Sequence, residues 1–298
     1  MTGVTIDRAL VEETYRQVQE RFCLALESFD GVSVFATDPW DRPGGGGGVT
    51  RVMTGEERIE KAAVSFSSVT GPTPPGLSDR LAIGAREFYA TGVSIIVHPM
   101  NPHAPTFHAN LRHLSTDRAD AWFGGGADLT PWYLYEEDAR EFHAALASVC
   151  RAHEVGDYQT WKQACDEYFY LPHRGEARGV GGLFFDDLRE RGDEVLAFQA
   201  DLAARLLEVY LLILGRRVDL PYTHAERAWQ EVRRGRYAEF NLVWDRGTRF
   251  GLETSGRAES ILASLPPRVR WTYDHVPEPG TAEERLVDLV RSPPRSWI

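Results

Sequence analysis

Four histidines are evenly spaced in the stretch SIIVHPMNPHAPTFHANLRH, which covers residues 94 to 113. His98, His103, His108 and His113 follow one another five residues apart. Imidazoles bind metal ions, transfer protons or lie in loops without a chemical role. A five-residue interval matches neither the helical repeat of about 3.6 nor the strand repeat of two, so no single element presents all four on one face. The interval alone does not choose among the three roles.

The segment HANLR places three different polar groups at alternate positions. On an extended backbone His108, Asn110 and Arg112 point to the same side, because successive strand residues face opposite sides. An imidazole for proton transfer, an amide and a guanidinium form a wall that can bind a carboxylate and act on it. A solvated strand face is the alternative interpretation of the same pattern.

A glycine-rich segment, WFGGGADLTPWY, follows this wall. Its glycines, Gly124 to Gly126, allow the backbone to approach a ligand closely. Asp128 has the chemistry of a base or of an acceptor for N–H groups. We expect Thr130 to cap the next helix with Pro131 in its first position, because both residue types favour those positions. Asp128 then has no structural role, which favours a chemical one.

Arginines and glycines alternate late in the chain, in DRGTRFGLETSGR. Guanidinium groups beside bare backbone suit a ligand that carries several carboxylates. A solvated turn region is an equally good interpretation of these residues alone. The alternating residues are Arg246, Gly247, Arg249, Gly251, Gly256 and Arg257.

Histidines from four separate elements are candidate ligands for a divalent metal ion. The adjacent acids Asp186 and Asp187 are a second candidate, although at most one of them faces a given site if GVGGLFFDD is a strand. The patterns H-E-x-x-H and G-x-S-x-G and paired cysteines are all missing, which removes support for zinc proteases, serine hydrolases and iron-sulfur proteins. The histidine set is His98, His108, His143 and His173, and sequence alone does not show that its members converge.

The composition restricts partners and location. With a formal net charge of −11 over 298 residues, the chain lacks the basic surface that nucleic acid or an anionic membrane requires. A membrane span needs a run of about 18 apolar residues, and none is present. The segment MTGVTIDRALVEETYRQVQERF is charged where a secretory signal has an apolar core. We therefore expect a cytoplasmic protein.

Hydrophobic periodicity predicts an α+β protein in which a large, mostly antiparallel β-sheet is flanked by α-helices on both faces. No linker or regular β-α-β alternation appears, so we expect a single catalytic domain over 1–298. The run Gly44 to Gly48 is expected to form a plain hairpin connection, with a flexible lid as the alternative. Helices are predicted at 6–28, 135–153, 158–171 and 194–217, and strands at 32–37, 49–54, 62–69, 92–98, 105–115, 119–123, 179–187, 237–244 and from 268 onward.

Four long motifs, in this order, resemble the oxygen-dependent coproporphyrinogen III oxidase family. They are GVSIIVHPMNPHAPTFHANLR, WFGGGADLTPWY, CDEYFYLPHRGEARGVGGLFFDDL and GRYAEFNLVWDRGTRFGLETSGRAESILASLPP. The resemblance runs from near residue 30 to the final RSWI. It implies homodimers with a large antiparallel sheet and flanking helices. It also implies the oxidative decarboxylation of two propionates of coproporphyrinogen III to vinyl groups, which gives protoporphyrinogen IX in haem biosynthesis.

The resemblance further implies roles for individual residues. The family's proton-donor histidine matches His108, and the acid that engages the pyrrole N–H groups matches Asp128. Carboxylates of the substrate would be anchored by Arg112 or Arg257. Ser255 stands where many relatives have glycine, a small departure in a substrate-binding turn. The positions that match the family's substrate contacts are Ser94, Asn110, Leu111, Arg112, Ser255, Gly256 and Arg257.

Cofactors and partners follow from the same resemblance. O2 is the cosubstrate, and haem, flavin and nicotinamide are not expected, because an electron-rich porphyrinogen can pass electrons to O2 itself. Bacterial members bind a divalent metal at positions that match His98, His108, His143 and His173. The stretch of about 238–273 corresponds to the family's dimer interface. A metal-dependent hydrolase, a non-catalytic tetrapyrrole carrier and a structural dimer remain the alternatives.

Overall fold

A seven-stranded antiparallel sheet forms the centre of the fold in this computed structural model, which describes residues 6–73, 85–118, 120–253 and 256–298. Its strands are β1 (Ala36–Asp41), β2 (Gly46–Thr54), β3 (Ile59–Pro72), β4 (Glu87–Pro99), β5 (Thr106–Thr116), β6 (Ala121–Thr130) and β9 (Gly182–Leu188), and a separate pair consists of β7 (Tyr170–Leu171) and β8 (Glu176–Ala177). Strands β1 to β6 lie side by side in chain order, and β9 returns to pair with β6. The predicted α+β class is confirmed.

Helices cover the sheet and fill most of the chain after β6. They are α1 (Arg8–Asp30), α2 (Glu136–Ala152), α3 (Tyr158–Tyr168), α4 (Gly192–Arg217), α5 (His224–Glu239), a π-helical segment (Phe240–Trp244), α6 (Arg246–Glu253), α7 (Ala258–Leu262) and α8 (Ala282–Arg291). The predicted first helix is confirmed: Asp7 accepts from the Ala9 N–H at its start, and Gly31 ends it with φ of +81°. Within the described ranges, no helix is both long and apolar enough to cross a membrane.

The sheet separates two faces because side chains alternate along each strand. Val93 of β4 and Phe107 of β5 are fully buried and belong to the main core with α1, α2 and α4. The intervening positions face the other way, where Ile96 joins a second core cluster with Trp229 and Tyr237 of α5. Helices therefore pack against both faces, as predicted, and the rest of the second face borders a cavity.

Two predicted strands near the end of the chain are wrong. Residues 237–244 form the end of α5 and the π-helical segment. The buried positions there include Tyr237, Phe240 and Asn241, which have the i, i+3, i+4 spacing of a helix face. A short run of alternating apolar and polar residues is compatible with that spacing, so the pattern did not exclude a helix. No strand begins at 268 within the described residues, and the Arg270 N–H bonds to the Glu231 carbonyl of α5.

The glycine-rich stretch of WFGGGADLTPWY belongs to β6, which was predicted to end at 123. This strand extends to Thr130, and α2 begins only at Glu136, so neither Thr130 nor Pro131 has the predicted role at a helix start. The strand needs its glycines for packing, since a Cβ on Gly125 would lie 2.7 Å from the Asn110 carbonyl oxygen. Glycine here serves close strand contact within the sheet.

The predicted hairpin connection is present between β1 and β2, with Gly44 and Gly45 in the turn and Gly46 to Gly48 at the start of β2. Gly45 and Gly46 have φ of +115° and +80°, which glycine adopts without steric cost. The Arg42 N–H donates to the Gly46 carbonyl over 2.8 Å and closes the turn. Within β2, a Cβ on Gly48 would lie 2.5 Å from the Trp40 ring, so the bare backbone lets this indole pack against the strand.

A buried histidine makes the stability of the fold depend on pH. His113 is 1% exposed, lies between Phe123 and Tyr89, and finds no hydrogen-bond partner for either ring nitrogen among the residues that the structure describes. Burial, with a smaller effect of the Arg8 charge, lowers its pKa from 6.5 to about 4. The unfolded chain therefore takes up a proton between pH 6.5 and 4 that the folded chain does not bind, and the free energy of unfolding falls as the pH is lowered through this window.

We expect the His113→Leu variant to lose this contribution. Between pH 7 and pH 5 the free energy of unfolding should decrease less in this variant than in the wild type. The two decreases should differ by on the order of 2 kcal/mol. Urea denaturation at both pH values measures the difference, and His224→Leu, at an exposed position, is the matched control. Parallel pH profiles for His113→Leu and the wild type would contradict the assignment.

Candidate active site

A cavity of about 650 Å³ lies on the second face of the sheet. It is bordered by strands β3 to β6, by the hairpin tip at 40–43 and by residues 241–264 around α6 and α7. Small-molecule sites commonly have volumes of about 300–1,000 Å³, so the size suits an organic ligand. The aromatic residues that line it are Trp40, Phe66, Phe88, Trp122, Tyr168, Phe169 and Phe184.

The wall predicted on β5 is present at this cavity. His108, Asn110 and Arg112 lie at alternate positions and all line it. The Arg112 guanidinium donates to the Asn110 side-chain oxygen over 3.2 Å and lies 3.0 Å from an Asp186 carboxylate oxygen. Gly124 leaves room for this pair, because a Cβ there would lie 2.8 Å from the Arg112 guanidinium. Asp186 is thus the member of its acid pair that lines the cavity.

Asp128 lies behind His108 and is 2% exposed. Its carboxylate accepts hydrogen bonds from His108 Nδ1 over 2.9 Å and from Arg178 Nε over 3.0 Å. Burial by itself would raise the pKa of Asp128, but the Arg178 charge and the His108 contact outweigh it and hold the pKa below its usual value. Because an ionised carboxylate only accepts, His108 carries a proton on Nδ1 and has Nε2 left for the cavity.

This geometry gives Asp128 a structural role that the sequence did not reveal. Both carboxylate oxygens are already engaged, by His108 and by Arg178, and the residue does not line the cavity. A direct contact with ligand N–H groups, which the resemblance implied, has no support in this arrangement. Asp128 instead fixes the orientation and the tautomer of His108.

Arg178 is a residue of the site to which the sequence assigned no role. Its side chain is buried, and its guanidinium carbon lies 3.9 Å from the Phe169 ring centroid and 4.7 Å from that of Tyr237. It also donates to the Asn241 side-chain oxygen over 3.0 Å. The motif HRGEARGVGG contains Arg178, but its partners come from other elements, so no spacing in the sequence identifies them.

The remaining predicted contacts divide into three groups. Ser94, Gly256 and Arg257 line the cavity. The Leu111 side chain does not, because it is 1% exposed and belongs to the main core on the opposite face, and the role of this position in substrate binding stays a prediction. Ser255 lies outside the described residues.

The comparisons with known proteins agree with the motifs. The family model described as coproporphyrinogen III oxidase matches residues 10–297. The chain belongs to this family. It is 47% identical to the "Oxygen-dependent coproporphyrinogen-III oxidase, chloroplastic" of Glycine max, over 98% of this chain and 80% of the relative. It is 45% identical to the "Coproporphyrinogen-III oxidase 1, chloroplastic" of Arabidopsis thaliana, over 98% of this chain and 79% of the relative.

In this member of the coproporphyrinogen III oxidase family, three of the four histidines predicted to bind a metal have both ring nitrogens engaged by other groups. His98 Nε2 donates to the Ser264 carbonyl, and its Nδ1 accepts from the Thr106 hydroxyl, both over 3.0 Å. The nitrogens of His143 contact a tyrosine hydroxyl and a backbone carbonyl. Those of His173 contact a glutamate carboxylate and a tryptophan N–H. A metal ion would have to displace these partners one by one.

This set of histidines does not form a metal site in the structure, and metal binding stays a prediction. Among the described residues, no group of three or more His, Cys, Asp or Glu side chains is arranged to hold a metal ion. His108 alone of the four has a ring nitrogen without a hydrogen bond on the described side chains, and one imidazole does not make a divalent site. The residues do not fit the metal that the resemblance implied.

Metal removal should leave the folded protein unchanged. We expect dialysis against a chelator to shift the melting temperature by less than about 1 °C, because no bound ion contributes to the free energy of unfolding. Calorimetry with elemental analysis measures both quantities. A stoichiometric ion in the purified protein, lost on chelation together with several degrees of stability and absent from a His98→Gln variant, would contradict this expectation.

Proposed function

We propose that this protein catalyses the oxygen-dependent oxidative decarboxylation of coproporphyrinogen III. The propionates on rings A and B become vinyl groups, which gives protoporphyrinogen IX in haem biosynthesis. Each propionate loses CO2 and the equivalent of a hydride, and O2 accepts the two electrons and is reduced. Family membership and the names of the two relatives support this reaction. The observation that carries it is the cavity, where a positioned imidazole lies beside several guanidinium groups.

The charges around the cavity suit a substrate with several carboxylates. Five arginines line it, and three of them are paired with acids in the structure: Arg112 with Asp186, Arg178 with Asp128 and Arg257 with Asp38. Within the described ranges, the other two have no carboxylate partner: one bonds to a backbone carbonyl and one lies over a tyrosine ring. These two arginines are Arg42, in the turn between β1 and β2, and Arg246, at the start of α6.

His108 is the proton donor and acceptor in this proposal. Its Nδ1 is held by Asp128, so the ring exchanges protons with the cavity through Nε2. Arg112 lies four residues after His108 on the same face of β5. It anchors the reacting carboxylate, which takes the place of Asp186 as its ion-pair partner. The electron-rich pyrrole supplies the electrons to O2, and the protein contributes orientation and exclusion of water. Haem, flavin and nicotinamide have no part in this scheme.

The proposed reaction is tested by turnover of coproporphyrinogen III with and without O2. We expect CO2 and protoporphyrinogen IX to form in air and neither to form under argon. Activity that persists under argon would indicate a hydrolase. Binding measured by fluorescence quenching without CO2 release would indicate a tetrapyrrole carrier, and absence of both would leave a structural protein.

The Asp128→Asn variant tests the role of the buried carboxylate. An amide does not balance the Arg178 charge and no longer fixes the His108 tautomer, so we expect kcat to fall by about 10²-fold or more. Asp187→Asn is the matched control, because this aspartate is exposed and its φ of 58° is one that asparagine tolerates. Equal kcat values for the two variants, at equal folded fraction, would remove Asp128 from the mechanism.

We also propose that the protein is a homodimer whose interface includes about 238–273. The support is a set of exposed apolar side chains in that stretch, which a monomer would leave in water. Sedimentation velocity tests it, and a single species at the monomer mass of 33.5 kDa would contradict it. The exposed side chains are Leu242, Val243, Trp244, Leu252, Trp271 and Tyr273.

Two further expectations from the sequence remain proposals. A single catalytic domain over 1–298 is supported by the main core, which includes both Ile6 and Trp297. A cytoplasmic location rests on the sequence, whereas both relatives carry the word chloroplastic in their names. Fluorescence microscopy of the tagged protein in its own cells distinguishes the two locations.

A further inference from the structure

One backbone carbonyl near the active site accepts hydrogen bonds from two aromatic rings. The Val180 oxygen lies 3.0 Å from Trp297 Nε1 and 3.0 Å from His143 Nε2. The two rings are stacked, with centroids 6.2 Å apart and planes inclined by 21°. Because a carbonyl only accepts, His143 carries its proton on Nε2, and its Nδ1 accepts from the Tyr158 hydroxyl over 2.9 Å. Both rings are buried, so neither bond is exchanged with water.

The segment that contains Val180 is held on its other sides by β6 and by the end of α3. The Val180 N–H donates to the Leu129 carbonyl over 3.0 Å, and the Leu129 N–H donates to the Gly181 carbonyl over 3.1 Å. At the start of the segment, the Arg178 N–H donates to the Phe169 carbonyl over 2.8 Å. The position of the Arg178 backbone is therefore set by its own bond to Phe169, by the two bonds to Leu129 and by the pair of rings.

The ring of Trp297 reaches this position through a short terminal segment, residues 294–298, which we call the strap. Its Arg295 carbonyl accepts from Lys162 Nζ over 3.0 Å, and its Arg295 guanidinium lies 2.9 Å from Glu136 and 4.1 Å from the Trp297 ring centroid. Contacts to both α2 and α3 thus hold the strap at Arg295, two residues ahead of Trp297 in the chain. The indole is 7% exposed, so burial of a large aromatic surface adds to the hydrogen bond.

We propose that Trp297 and His143 are positioning residues for the active site, an inference that rests on the proposed function. They act through the Val180 carbonyl on Arg178, whose guanidinium holds Asp128, which in turn orients His108. A buried charged pair tolerates little displacement, and misplacement of a reacting group by about 1 Å can cost on the order of 10² in rate. The strap therefore controls the chemistry without contacting the substrate.

The Trp297→Phe variant tests this inference, because it keeps an aromatic ring and removes the N–H. We expect kcat to fall by about tenfold, the equivalent of one hydrogen bond, with KM within about twofold of the wild type. Trp161→Phe is the matched control: this tryptophan is 6% exposed in the main core and lies outside the chain of contacts to His108. Equal kcat for the two variants, at similar melting temperatures, would overturn the proposal.

Variants at His143 keep the proposal testable if the Trp297 variant does not fold. Glutamine has an amide N–H that can bond to the Val180 carbonyl, whereas leucine of similar volume has none. We expect His143→Gln to retain several times the kcat of His143→Leu. The reverse order, or equality of the two, would contradict a positioning role and leave His143 as a core residue only.

A spectroscopic measurement separates this proposal from the proposed function. In protein labelled with ¹⁵N-histidine, the Nδ1–H resonance of His108 is identified by its loss in His108→Gln. We expect this resonance to shift in Trp297→Phe and to stay in place in Trp161→Phe. An unchanged resonance would refute the positioning role even in an active enzyme. A shift in a protein that does not oxidise coproporphyrinogen III would refute the proposed function and leave the positioning role intact.

Discussion

The buried pair of Asp128 and Arg178 is the interaction on which the arrangement of the cavity depends. Both side chains are removed from water, so each charge is tolerated only because the other is present, and loss of either partner costs about 3–5 kcal/mol. The pair joins β6 to the segment before β9, and it leaves the carboxylate free to hold His108. One ionic contact therefore determines both the local packing and the orientation of the His108 imidazole.

The aromatic rings around Arg178 restrict which groups can change charge. The guanidinium is enclosed by Phe169, Tyr237 and Phe240, and it bonds to Asn241 of the π-helical segment, a type of segment that is often found at functional sites. A cation in this environment stays protonated, and its carboxylate partner stays ionised with it. The Asp128–Arg178 pair therefore keeps both charges, and in the proposed reaction His108 is the member of this hydrogen-bonded group that exchanges protons.

The sequence predicted the parts of the site that depend on local periodicity. The β5 wall and the sheet class follow from the alternation of side chains, and both are present. The contact of Asp128 with Arg178 joins residues that are 50 positions apart in the sequence, and no local pattern predicts a contact at that separation. For the four histidines the residue type suited a metal ion, but each ring lies among its own neighbours, which the sequence does not identify. The helix over 237–244 was missed because short alternation also fits a helix face.

The bare backbone at Gly126, which pairs with Asn110 on the cavity face of the sheet, leaves that part of the cavity wall without a side chain. A bare backbone presents a flat surface, which has few features that distinguish the two faces of a bound macrocycle. A macrocycle that lies against such a surface is recognised at its rim, where acidic side arms meet guanidinium groups. Selectivity among tetrapyrroles then depends on how many carboxylates they carry and where these project, and the ring system itself contributes mainly contact area.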